Sequence, residues 1–484
     1  MDQLPLTAPP LPARRTASPN QVLAIVCVGI VLANLDLFIV NVGLPNIARD
    51  FAGASLEDLS WILNGYAIAY AALLVFFGRL AERHRRDRSF ILGIALFTIA
   101  SAACAAAGSV NQLVLFRVVQ AAGAALMTPT SIGLLLASFP PERRGSAVRT
   151  WAAIGGFAAA IGPLAGGILV ALSWRWIFLV NVPIGIAAMA VGWWALPHVP
   201  GHDVKRPSFT AALMVTGGIG ALTFAIVKGS DWGWASSRIA ISLAASAICL
   251  ALFVRHCLRA ANPFIDPALF RIRQFTGATL VMAPYSIAFG AMLFSIALWQ
   301  QEAWGWTALQ TGMTIAPGPL LVPTTSLLLS GRLIARFGAA PVITAGIVLF
   351  TAGLAIWASF IGNEPSAATV ILGMIPTGVG VGLTYPTLLG VAGGALPPSS
   401  FATGSGVINM IRQAAIAIGV AIFVAVIAVP VSPAARLAAF HLGWWIMAAV
   451  TALGLVPTYF LIRSIDPSLG SVAAKPLKPR GSGA

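Results

Sequence analysis

Apolar residues fill this chain in long runs, and polar residues gather in the gaps between them. A helix needs about 20 predominantly apolar residues to cross roughly 30 Å of hydrocarbon. By that measure the pattern predicts spanning helices over 21–43, 61–80, 89–108, 112–138, 151–172, 175–196, 209–228, 237–255, 275–298, 308–331, 340–361, 367–395, 405–429 and 440–463, fourteen in all. An even number of crossings puts both chain ends on one side.

Small residues mark the fifth run. Gly155, Ala159, Gly162 and Gly166 step by four, three and four, which lays them in one helical stripe that a second backbone can approach closely. Pro163 removes a backbone donor in mid-span, so a bend is expected beside Gly162. The GVGVG run at 378–382 lies inside a span with no strand before it. Close helix packing is therefore expected of it, and not a dinucleotide loop.

Composition places the chain in a class. Of its 484 residues, 58% are hydrophobic and 9% charged, with mean hydropathy +0.89, against about 25% charged in soluble domains. This is an all-α integral membrane protein. Residues 1–20, rich in proline and without an apolar core, read as a disordered cytoplasmic tail and not a signal peptide; 464–484 read as a second tail. The net charge of +15 calls nucleic acid to mind until it is located. With the N-terminus inside, 22 of the 29 Lys and Arg fall in inner tails and loops, five fall in outer loops, and Arg117 and Arg412 lie within spans. This bias puts both termini in the cytoplasm of a cell membrane, inner or plasma, and explains the charge without nucleic acid. Trp61, Trp174, Trp176, Trp232, Trp234, Trp299, Trp304 and Trp306 are expected to form an aromatic belt at the outer boundary. The four cysteines have no CxxC spacing, and Pro200 separates His198 from His202, so inert buried thiols, no metal site and no cofactor are expected.

The chain repeats itself. GAALMTPT at 123–130 matches GVGLTYPT at 380–387, an offset of 257 that Pro140-Pro141 and Pro397-Pro398, and Gly162 and Gly419, also keep. GRLAER at 78–83 matches GRLIAR at 331–336, offset 253. Spans 1–6 and 9–14 are thus expected to be parallel halves related by an axis along the membrane normal, with spans 7 and 8 inserted. The expected units are 21–196, a 197–274 insertion with its linker, and 275–463.

At this point the sequence resembles the major facilitator superfamily and, within it, the fourteen-span drug:proton antiporters. The resemblance runs from about residue 20 to 465 and rests on five motifs in order: LDLFIVNVGLP at 35–45, GRLAER at 78–83, LFRVVQAAG at 115–123, GPLAGG at 162–167 and WRWIFLVNVP at 174–183. It implies a major facilitator fold, proton coupling through Arg117, and gating by Gly78, Glu82 and Arg83 and by the antiporter element Gly162, Pro163, Gly166 and Gly167. Three positions depart from the pattern: Glu82 and Arg85 stand where the family usually has aspartate and glycine, and Ala121 where it has glycine.

Few charges lie in the spans, and each is a candidate for function, because a carboxylate at mid-membrane costs roughly 2.5–3.5 kcal/mol on insertion scales. Asp36 is the only acid well inside a span. Counting residues at about 1.5 Å each places Asp36 and Arg117 at matching depths below the outer surface. They are expected to communicate, with protonation of Asp36 changing which side of a central cavity is open. The competing readings are that Arg117 snorkels outward and that Asn34 or Asn41 satisfies Asp36. Arg412, with Asn409 and Gln413 nearby, and the tyrosines Tyr66, Tyr70, Tyr285 and Tyr385 are expected to line the substrate cavity with Asn34, Asn41 and Gln120; the competing readings are that Arg412 snorkels toward the cytoplasm and that the tyrosines make ordinary interhelical hydrogen bonds.

The expected function is a secondary active exporter of drugs or other hydrophobic small molecules, exchanging them for protons by alternating access between two rocking halves. With one deep acid and two deep arginines, neutral or anionic substrates are favoured over dications. The partners are then these substrates, protons and the lipid bilayer; a periplasmic adaptor and outer-membrane channel are left open. No Walker motif points to ATP-driven pumping, and no His, Asp or Ser cluster at a membrane face points to an enzyme. An importer or facilitator on the same fold is the alternative.

Overall fold

The computed structural model describes residues 17–51, 55–201, 207–260, 263–396, 401–428 and 432–462. Most of the two expected tails and the Pro397-Pro398 pair lie outside the described residues. Among the described residues, fourteen helices are long and apolar enough to cross a membrane. They are α1 (Pro19–Asp50), α2 (Asp58–Leu80), α3 (Arg86–Ala105), α4 (Val110–Ser138), α5 (Ile154–Leu172), α6 (Trp176–Ala195), α7 (Phe209–Gly229), α8 (Ser237–Arg259), α9 (Arg273–Glu302), α10 (Ala308–Phe337), α11 (Ala339–Phe360), α12 (Ala367–Gly394), α13 (Gly406–Ile427) and α14 (Pro433–Ile462).

Helix starts follow local chemistry. Ser18, Ser55 and Thr307 each accept from the backbone N–H three residues on, and Gln21, Asp58 and Gln310 return the bond. These capping boxes satisfy donors that a helix N-terminus leaves open, and Ser109, Ser208, Ser236, Ser366 and Ser432 cap other helices by their side chains. The helix that contains α5 runs without interruption from Pro141 to Leu172, through Pro163. Helix α10 is the irregular one. Pro317, Pro319 and Pro323 interrupt its backbone donors, and its ladder passes through a π turn at Ser326–Ser330 before resuming.

Packing repeats between the halves. Helix α1 packs on α4, α5 and α6, α2 on α4, and α3 on α4 and α6; the partners eight helices on, α9 with α12, α13 and α14, α10 with α12, and α11 with α12 and α14, do the same. The correspondence reaches single atoms. A Cβ on Gly123 would sit 2.5 Å from the Phe97 nitrogen and 2.8 Å from the Gly93 oxygen, and one on Gly380 2.8 Å from the Phe350 nitrogen and 2.6 Å from the Gly346 oxygen. These contacts join residues related by the two sequence offsets. The GVGVG run is indeed a packing device: Gly378 and Gly382 back onto α10 at Gly318 and Val322, and Gly380 onto α11.

The halves meet along α1–α9, α2–α13 and α5–α10. The inserted pair α7–α8 packs on itself and lays α7 against both α2 and α13, covering that seam. The α5–α10 seam narrows toward the end of α5. A Cβ on Gly156 would lie 3.9 Å from Pro323, whereas one on Gly312 would lie 2.3 Å from the Pro163 oxygen and one on Gly167 2.7 Å from Leu309. At the same face Gln301 of α9 donates to the Val42 carbonyl at 2.9 Å and accepts from Asn46 at 3.3 Å.

The aromatic belt needs correction. Trp176 and Trp234 are exposed, but Trp174, Trp299 and Trp304 are buried. Trp299 packs on Trp304, Phe440 and Trp444, and the Trp174 indole N–H donates to Asp50 at 2.6 Å. Position near a span end is shared by rings that face headgroups and rings that close a bundle, so the count alone does not separate them.

Candidate functional site

Five helices of the N-terminal half converge on Asp36. Its Oδ2 accepts from Arg117 of α4, and its Oδ1 accepts from the Gln120 amide at 2.8 Å and from the Asn181 amide of α6 at 3.2 Å. Gln120 and Asn181 also both donate to Ser101 of α3, and Arg117 Nε donates to the Ile62 carbonyl of α2 at 3.2 Å. The Arg117 guanidinium lies 4.1 Å from the centre of the Tyr66 ring, a cation–π contact strengthened by the burial of both side chains. Asp36, Ser101, Arg117, Gln120 and Asn181 are all completely buried. Helical spacing explains the grouping: Arg117 and Gln120 are three apart and share a face of α4, and the break at Val180 between the short helix Trp176–Leu179 and Asn181–Ala195 turns Asn181 inward.

The expected pairing of Asp36 with Arg117 is present, and Arg117 does not snorkel. Asn34 and Asn41 serve elsewhere. Asn34 donates to the Gly155 carbonyl at 3.0 Å and so ties α1 to α5; Asn41 donates to Leu37 of its own helix at 2.9 Å. Gln120 and Tyr66 belong to the buried cluster. Tyr285 stands apart, buried with its ring 4.8 Å from that of Phe350 on α11. The remaining expected cavity residues come together across the halves. Arg412 of α13 lies 4.9 Å from the Tyr385 ring of α12, the Tyr385 hydroxyl donates to Asn409 at 3.4 Å, and Tyr70 of α2 lies within electrostatic range of both Arg412 and Tyr385.

The gating motifs divide by contact. Gly155, Gly162 and Gly166 back onto α1, where a Cβ would meet Ile30, Phe38 and Ile39 at 2.7, 2.6 and 3.1 Å. Gly167 and the Pro163 carbonyl face α10 instead. Helix α5 therefore touches both halves. After α2, Gly78 lies against Pro129 of α4; the Glu82 side chain lies outside the described residues. The Arg83 carbonyl lies against Gly201. Asp87, at the start of α3, pairs with Arg85 at 2.6 Å. Arg86 takes the Val199 carbonyl with its backbone N–H and the Gly133 carbonyl with its side chain.

Asn181, Ser101 and Asp87 are the residues that sequence reasoning passed over. For Asn181 a signal existed, since an amide within an apolar span requires partners.

This fold agrees with comparison to known proteins. Residues 26–420 match the model of the Major Facilitator Superfamily. The chain belongs to that superfamily. It is a multi-pass membrane transporter of small molecules, not an enzyme. It is 32% identical to the tetracenomycin C resistance and export protein of Streptomyces glaucescens, over 78% of this chain and 72% of that one. It is 30% identical to the methylenomycin A resistance protein of Streptomyces coelicolor, over 85% and 86%. Among solved structures, a bacterial homologue of the human drug peptide transporters PepT1 and PepT2 shares the fold with TM-score 0.64, covering 92% of this chain and 99% of that one at 14% identity.

Proposed function

We propose that this facilitator exports hydrophobic small molecules in exchange for protons, with Asp36 as the proton-binding group and Arg117 as its partner. The observation that carries the reading is the complete burial of Asp36 among donors. Every hydrogen bond to it is donated, an arrangement that suits a carboxylate and that a bound proton disturbs. A neutral carboxyl loses its charge pairing with Arg117, and an uncompensated buried charge costs several kcal/mol. Binding and release of one proton thus shift the packing of five helices by an amount able to move a two-state equilibrium.

The α5–α10 seam is tight where Gly167 and the Pro163 carbonyl meet Leu309 and Gly312, and at the same face Gln301 of α9 bonds Val42 and Asn46 of α1. With the positive-inside assignment, that face is the outer one and this conformation is closed to the outside. Rocking about the α5–α10 and α2–α13 seams then exposes the site alternately. The tetracenomycin C resistance and export protein supplies the precedent for outward movement of a small molecule.

The test is transport in proteoliposomes under an imposed pH gradient. Asp36→Asn should abolish gradient-driven movement, lowering it at least about a hundredfold, while substrate counterflow without a gradient persists. Wild-type rates in the variant would remove Asp36 from the mechanism.

A further inference from the structure

Arg412 is a membrane-embedded cation without an acid partner among the described residues. Ion pairs among the described residues join Arg85, Arg117, Arg175, Lys228 and His198 to aspartates, and none involves Arg412. Its Nε is buried without a partner, as is the Oε1 of the adjacent Gln413. The guanidinium lies over the Tyr385 ring and within electrostatic range of Tyr70 of the opposite half. Six residues, about 9 Å of helix, separate Arg412 from the start of α13 at Gly406. A guanidinium at such depth without a counter-charge is costly, and in spans such residues face protein interiors or cavities and mark the path of a ligand.

We propose that Arg412 is the specificity-determining residue of the substrate site and binds the ionised acidic group of an aromatic small molecule, with Tyr385 and Tyr70 offering rings to its apolar part. Arginine suits this because its planar fork pairs with carboxylates in two parallel bonds, and Tyr385 holds one face of the fork. The site is also wired to the proton pair. Tyr70 stacks on Tyr66 with ring centres 5.9 Å apart and planes 7° from parallel, and Tyr66 carries Arg117. A ligand that displaces Tyr70 presses on the ring against which Arg117 rests. This inference deepens the exporter reading by naming its substrate class, and rests on it for the direction of transport alone.

The experiment compares binding of three probes of one shape, 2-naphthoate, 2-naphthamide and trimethyl-2-naphthylammonium, to the purified full-length protein in detergent. Wild type should bind the carboxylate most tightly. Arg412→Gln should weaken the carboxylate about tenfold to a hundredfold, the worth of a charge-assisted contact, and leave the amide within about twofold; Arg412→Lys should keep part of the preference. The unchanged amide shows that the variant is folded. The proposal is overturned if wild type fails to bind the carboxylate or prefers the ammonium, or if Arg412→Gln holds the carboxylate within about twofold of wild type. Movement under a pH gradient is read separately. Carboxylate binding that needs Arg412, without proton-driven movement, sinks the exchanger and leaves the anion site standing.

Discussion

The two halves share a packing plan and differ in what they bury at one place in it. In the N-terminal half, Arg117 and Gln120 lie six and three residues before Gly123, the glycine that lets α4 cross α3. In the C-terminal half, the positions six and three before Gly380 are Met374 and Thr377. Met374 packs on Gly318, and Thr377 returns its hydroxyl to the Gly373 and Met374 carbonyls of its own helix. The α3 residues Ser101 and Cys104 become Leu354 and Trp357 at the offset of 253, both buried. The same helix crossing accommodates a polar network or an apolar contact with no change in backbone plan, so the fold does not require the charges. That separation points to function for Asp36 and Arg117, because a structural need would have left its mark in both halves.

The sharpest way to break this comparison is to make one half like the other. Arg117→Met leaves Asp36 buried with only neutral donors, and removal of one partner from a buried pair costs about 3–5 kcal/mol. The variant should melt well below wild type and show no gradient-driven transport. Met374→Leu, a volume-conserving change at the equivalent position, should cost under about 1.5 kcal/mol and leave transport near normal. Equal losses at the two positions, read by thermal unfolding in detergent, would show that the charged pair is no more than packing.

Where the halves agree, equal effects are expected. Gly123→Ala and Gly380→Ala each drive a methyl into a backbone that lies under 3 Å away on the neighbouring helix. Backbone cannot swing aside as a side chain can, so each should cost about 1–3 kcal/mol as overpacking, and the two melting shifts should match within the error of measurement. A loss confined to one of them would break the correspondence between the α3–α4 and α11–α12 crossings.

How far the sequence could be read follows from the same contrast. Apolar runs of spanning length gave the fourteen helices, and two offsets gave the duplication, because both are properties of the chain taken one residue at a time. The pairing of Asp36 with Arg117 was legible as a depth match between the two spans' only deep charges on that side. The roles of Asn34, Asn41 and Tyr285 were not. An amide or a phenol within a span can bond its own helix, a neighbouring helix or a ligand, and helix rotation decides among these. Rotation depends on contacts such as Gly155 against Asn34, which involve residues over a hundred positions apart. The exposure of each tryptophan failed to show in the sequence for the same reason.

Asn181 offers the finest test of the comparison. It lies in the WRWIFLVNVP run, whose two tryptophans and arginine draw the eye, but it is the asparagine that reaches Asp36. Its amide stands at 3.2 Å, the longest of the contacts to that carboxylate, beside the stronger donation from Gln120 at 2.8 Å. Hydrogen bonds to charged groups contribute about 1.5–3 kcal/mol, and with two other donors in place the lower end applies. Asn181→Ala should therefore slow gradient-driven transport about tenfold while counterflow changes little. Asn41→Ala removes an amide of equal size that bonds only its own helix, and should leave both measurements within about twofold of wild type. If the two variants behave alike, the contact between Asn181 and Asp36 has no part in coupling, and the polar cluster of the N-terminal half shrinks to the two residues of α4.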